Sequence, residues 1–98
     1  MIDDQLGHDA ARGTHAEQLL RDEVLVEAFA ALERDYVAAW RESPARDTDA
    51  RERLWQAVNI IGKVKSHLQS VANSGKLARK EIDDLTHLGD RKKLFGVV

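Results

Sequence analysis

The stretch DEVLVEAFAALERDYVAAWRE, residues 22–42, decides the fold. Its large residues Leu25, Phe29, Leu32, Tyr36 and Trp40 are spaced by 4, 3, 4 and 4 positions, and Ala28 and Ala39 widen the same stripe. That period is one face of an α-helix turned toward a core. Glu23, Glu27, Arg34 and Arg41 fall on the other side. Apolar and polar residues never alternate over a useful length, so a strand is excluded.

Ser43-Pro44-Ala45-Arg46-Asp47 ends this helix. Pro44 lacks a backbone donor and disfavours helical geometry at Ser43. Asp47 or Thr48 then caps a second long helix, expected to run to about Asn73. Its apolar positions are Leu54, Trp55, Val58, Ile61, Val64, Leu68 and Val71, with Ile60 beside them. Asn73-Ser74-Gly75 reads as a helix stop, with Gly75 free to take the left-handed conformation. Residues 76–88, carrying Leu77, Ile82 and Leu85, read as a further short helix. Upstream, Thr14-His15-Ala16-Glu17 fits a capping box, in which the Thr14 hydroxyl and the Glu17 carboxylate each accept from the other residue's N–H. A short helix with Leu19 and Leu20 follows, and since Asp22 can cap the chain again, the segment reads as one helix or as a short helix joined to the long one.

The expected fold is therefore all-α. Two long helices form an antiparallel hairpin, because a connection of roughly five residues leaves little choice, and short helices flank them. Residues 1–13 read as a flexible polar leader, 14–88 as the helical hairpin or bundle domain, and 89–98 as a basic-apolar tail. Gly62 interrupts the second helix at a cost of roughly 1 kcal/mol. It reads as tolerated there, or as a place where the partner helix comes close, with a functional kink as the alternative.

The chain has 98 residues, 43% hydrophobic and 33% charged, which excludes disorder by composition. No apolar run approaches the roughly 20 residues of a bilayer span, and no membrane role is expected. The first nine residues are acidic and lack the apolar stretch of a secretory signal. With no cysteine there is no disulfide, thiolate metal site or cysteine nucleophile. His8, His15, His67 and His87 share no ligand spacing, so no metal is expected. The acidic pairs Asp3-Asp4, Asp22-Glu23 and Asp83-Asp84 are adjacent, and adjacent helical residues do not face each other. No phosphate loop or nucleophile elbow is present. No catalytic residue, cofactor or small-molecule substrate is therefore expected, and the protein reads as a non-enzyme.

The charge is uneven. Residues 1–49 carry 12 acids and 5 bases, net −7; residues 50–98 carry 5 acids and 10 bases, net +5, which together give the chain's −2. This favours antiparallel pairing of the helices, and lets the acidic helix of one copy meet a basic segment of another. The second helix has more apolar surface than one partner helix covers. Leu54, Val58, Ile61 and Leu68 face one way; Ile60, Val64 and Val71 are offset; Trp55 points in a third direction. Burying a large side chain is worth about 1.5–3 kcal/mol, so self-association or docking on another protein is expected, the alternative being a monomeric three- or four-helix bundle in which the short flanking helices cover this surface. The candidate interaction residues are Trp40, Trp55, Ile60, Val64, Val71 and, in the tail, Leu94, Phe95, Val97 and Val98. Lys63, Lys65, Lys76, Arg79 and Lys80 are candidate nucleic-acid contacts, although the chain as a whole is acidic and lacks a helix-turn-helix signature or an aromatic ladder.

Several runs together resemble a group of small all-helical proteins of tailed bacteriophages and prophages. They are Arg12-Gly13-Thr14-His15-Ala16-Glu17-Gln18-Leu19-Leu20, Glu33-Arg34-Asp35-Tyr36-Val37-Ala38-Ala39-Trp40 and Asp47-Thr48-Asp49-Ala50-Arg51-Glu52-Arg53-Leu54-Trp55, with His67-Leu68 and Gly75-Lys76-Leu77-Ala78. The likeness spans roughly residues 12–85. Such proteins belong to virion-assembly and DNA-packaging gene clusters, and they bring no catalytic residues. The resemblance implies a structural or assembly protein that forms homo-oligomers or docks on capsid, portal or packaging proteins. It would act in the host cytoplasm during assembly and end in the virion. A DNA-binding packaging or regulatory accessory and a small inhibitor of a host protein are the alternatives.

Overall fold

The computed structural model describes the backbone of residues 4–94 and the side chains of residues 4–89. It contains three helices, α1 (Asp4–Arg21), α2 (Glu23–Glu42) and α3 (Thr48–Leu94), and no strand among the described residues.

α1 begins at Asp4, so residues 4–13, read as a leader, are helical. An acidic residue in the first turn suits the positive end of the helix dipole, and Gln5 Nε2 donates to Asp9 Oδ1 at 2.8 Å one turn on. The capping-box reading fails for the same reason. Thr14 lies inside α1, where its hydroxyl donates back to the Ala10 carbonyl at 3.1 Å.

Asp22 separates α1 from α2. Its N–H donates to the Leu19 carbonyl at 3.2 Å, and its carboxylate accepts from the Leu25 N–H at 2.9 Å. The extended backbone of Asp22 (φ −69°, ψ 118°) breaks the helix while the side chain starts the next. α2 ends at Ser43, which is also extended and precedes Pro44. Asp47 caps α3 by accepting from the Ala50 N–H at 3.2 Å.

α3 runs unbroken through Asn73-Ser74-Gly75, correcting the expected stop there and the separate short helix after it. Its 47 residues replace two expected helices. Gly75 keeps a helical backbone because its missing side chain is used for packing. A Cβ built there would lie 2.4 Å from the Gly13 Cα, and one built on Gly13 would lie 2.3 Å from the Gly75 Cα. The two helix backbones touch at this glycine pair. Gly62 is different, since a Cβ there meets nothing within 4 Å, so no close approach explains it.

The described residues form two compact units, residues 4–18 with 69–94 and residues 19–68. In the first, the buried residues are Gly13, Ala16, Ala72, Gly75 and Ala78, all small, spaced to let α1 and α3 meet closely. Arg79 fastens the contact, donating to the Thr14 hydroxyl at 2.8 Å and to the Glu17 carboxylate at 2.9 Å. In the second unit, Arg51 meets Trp40 near the connection and Lys65 meets Glu33 further along. Positions rise along α3 as they fall along α2, so these two segments run antiparallel. Ile61 is the buried residue of this unit, with Leu54, Val58 and Leu68 half-buried around it.

Candidate functional site

α2 has no buried residue. Phe29, Glu33, Val37 and Trp40, spaced for one helix face, are half-buried. Leu32 and Tyr36, expected in the core stripe, are instead 43% and 37% exposed. The covered side is rotated by part of a turn from the expected stripe, because α3 lies along Phe29, Glu33 and Trp40. Val24 is 75% exposed on the uncovered side. On α3, Ile60 and Val64 are 59% and 45% exposed.

The loop end carries both tryptophans. Trp40 is half-buried beneath Arg51, whose guanidinium carbon lies 4.4 Å from the ring centroid. Arg51 Nη1 also donates to the Trp40 carbonyl at 3.0 Å, the Ser43 carbonyl at 3.1 Å and the Ser43 hydroxyl at 3.0 Å. One planar cation thus satisfies carbonyls that the end of α2 leaves open and stacks on its last aromatic ring. Trp55 is exposed across an open groove of about 390 Å³ that Trp40, Ala45, Thr48, Arg51, Glu52 and Trp55 line. Trp40 is therefore held by its own chain, while Trp55 is 56% exposed.

A second cavity of about 300 Å³ is lined by Leu19, Leu20, Leu25, Val26, Phe29 and Ala30, with Glu33 and Lys65 at its polar side. The Glu33–Lys65 pair spans 3.2 Å and both side chains are more than a third exposed, so it is worth at most about 1 kcal/mol. No buried side-chain nitrogen or oxygen among the described residues lacks a partner. Among the described residues, no group of three or more His, Asp or Glu side chains is placed to hold a metal ion, and His8, His15, His67 and His87 are all exposed. No helix among the described residues is long and apolar enough to cross a membrane.

Two of the basic candidates are engaged in ion pairs within the chain. Lys65 is paired with Glu33, and Arg79 with Glu17 and Thr14. Lys63, Lys76 and Lys80 are exposed. Val71 is half-buried in the unit that Gly13 and Gly75 build, where its carbonyl lies beside Gly13. The side chain of Leu94, with Phe95, Val97 and Val98, lies outside the described residues. Local pattern could not identify Arg51, because its partners lie 8 and 11 positions back, across Pro44. The exposure of Val24, Leu32 and Tyr36 was equally hidden, since a helical stripe does not say how much of it one neighbour covers.

Comparison of the chain with known protein families, with curated proteins and with solved structures finds no match.

Proposed function

We propose that this protein is a non-enzymatic structural or assembly protein of a tailed bacteriophage, acting through apolar helix faces. α2 and residues 48–68 of α3 would serve as a helical hairpin that oligomerises or docks on capsid, portal or packaging proteins. One observation carries the interaction role: no residue of α2 is fully buried, its Val24, Val26, Leu32 and Tyr36 are exposed, and no large side chain among the described residues is completely buried. A small domain gains stability mainly by removing apolar area from water, and much of this chain's apolar area is still available to a partner. The phage assignment rests on the resemblance over residues 12–85. On this reading the protein works in the host cytoplasm during assembly and is carried into the particle, and the tail residues Leu94, Phe95, Val97 and Val98 add a second anchor.

The DNA-accessory alternative has less support, because Lys65 and Arg79 are already held by carboxylates of the same chain. Two measurements test the proposal. Sedimentation equilibrium should show a mass above that of one chain, or co-purification with a capsid or portal protein. Mass spectrometry of purified particles should detect the chain. A monomer at every concentration that is also absent from particles would refute the assignment. Retention on DNA that falls steeply with added salt would favour the alternative.

A further inference from the structure

Five of the seven exposed large apolar residues of the unit formed by residues 19–68, Val24, Leu32, Tyr36, Ile60 and Val64, fall on one side of its helix pair, while Val26 and Trp55 lie on other faces of α2 and α3. At about 100° per residue, Val24, Ala28, Leu32 and Tyr36 lie within roughly a third of a turn of α2. Ile60 and Val64 are about 40° apart on α3 by the same count. The arc on α2 lies about 100° to one side of the face turned to α3, and the arc on α3 lies about 100° in the same rotational sense from the face turned to α2. Rotational sense reverses between antiparallel helices as seen from one end, and so do the directions of the two inward faces. The two arcs therefore open to the same side. Leu19 and Leu20 gather with Val26, Ala30 and Phe29 and leave this side uncovered.

Resting on the interaction role proposed above, we infer that this face is covered by the same face of a second copy. The product is a two-fold symmetric four-helix bundle in which α2 of each copy lies on α3 of the other. Charge selects both the occupant and the arrangement. α2 carries five carboxylates and two arginines, net −3, whereas residues 48–68 carry four bases and two acids, net +2. A two-fold axis perpendicular to the helices would lay one acidic α2 on the other. An axis parallel to them lays each acidic α2 on the partner's basic segment, with neighbours antiparallel throughout.

That axis keeps the levels set within one chain, where Glu33 meets Lys65 and Trp40 meets Arg51. Leu32 then faces Val64 of the second copy, Tyr36 faces Ile60, and Glu42 faces Arg53. Neither Glu42 nor Arg53 has an ion-pair partner among the described residues, and both are exposed. A footprint about 30 Å long and about 20 Å wide buries roughly 1,200 Å² over both copies, at the lower edge of stable dimers.

The test is sedimentation equilibrium of the full chain from micromolar to millimolar concentration, with circular dichroism to check helicity. Wild type should reach twice the 11.0 kDa chain mass. Leu32→Asp and Ile60→Asp should each stay monomeric while remaining helical, since both sites are exposed in one chain. Glu42→Arg and Arg53→Glu should each weaken the dimer by about tenfold, and the double variant should recover wild-type affinity. An unchanged dimer in both aspartate variants would overturn the choice of face while leaving self-association intact. Loss of the dimer in those variants without recovery in the double charge swap would overturn the placement of α2 on α3. A wild type monomeric throughout would overturn the inference altogether. The broader assembly reading would then fall only if the chain were also missing from particles.

Discussion

Replacing Gly13 with alanine should reverse the sign that helix propensity assigns to it. An interior helical glycine costs about 1 kcal/mol relative to alanine, so Gly→Ala on an open helix surface should stabilise by about that amount. Gly62 is such a site, with nothing within 4 Å of an added Cβ. At Gly13 the new methyl would sit 2.3 Å from the Gly75 Cα, 3.0 Å from its nitrogen and 3.1 Å from the Val71 carbonyl oxygen. Carbon atoms pack at about 3.5–4.0 Å, so the helices must part by more than 1 Å, and every obstacle is backbone that no rotamer change can move. Overpacking costs about 1–3 kcal/mol, and separation also loosens Ala16, Ala72 and Ala78, which are at most 4% exposed. The net expectation is a loss of about 1–2 kcal/mol for Gly13→Ala against a gain of about 1 kcal/mol for Gly62→Ala. The assay is thermal unfolding followed by circular dichroism at one fixed protein concentration, because self-association shifts the midpoint. For a chain of this size 1 kcal/mol moves the midpoint by about 4–8 °C, so the two variants should melt well apart on opposite sides of wild type. If Gly13→Ala melted as high as Gly62→Ala, the glycine contact would be disproved.

Arg51→Ala removes three hydrogen bonds and a stacked ring contact at the end of α2, and urea unfolding should show a loss of about 1–3 kcal/mol. Arg51→Lys should recover little of it, because an ammonium cannot reproduce the planar fork. Asp22→Ala should cost about 1 kcal/mol in the same assay, while Asp22→Asn should stay near wild type, since asparagine caps equally well. Arg79→Ala removes its hydrogen bonds to Thr14 and Glu17. With side chains 38% and 20% exposed, the Arg79–Glu17 pair should contribute about 1 kcal/mol, and hydrogen exchange in α1 should rise more than in α2.

The helical class and the end of α2 at Ser43-Pro44 were legible, and the break at Asp22 and the cap at Asp47 were each one of two readings the sequence allowed. Each is set within a few residues by backbone chemistry: a carboxylate three positions before an N–H it accepts from, or a proline without a donor. The two glycines were misread for a complementary reason. Gly13 looked like part of a loose leader and Gly75 like a stop, because glycine's commonest local meaning is conformational freedom. Here both serve a contact 62 positions apart in the chain, and local pattern carries no trace of the partner. The candidate face was half visible. Ile60 and Val64 stood out as surplus to one stripe, but Leu32 and Tyr36 look identical in sequence whether a neighbour covers them or not.

The local sequence determined that this chain is helical and where α2 ends, and its apolar positions outnumber those that one helix contact covers. Tertiary structure alone decided that α3 continues through Gly75, that α1 reaches back to Asp4, and which side of the 19–68 unit stays bare. The division has one physical cause. Periodicity and caps act over a few residues of backbone, whereas coverage depends on what comes close in space, and two glycines can be brought together only by the helices that carry them.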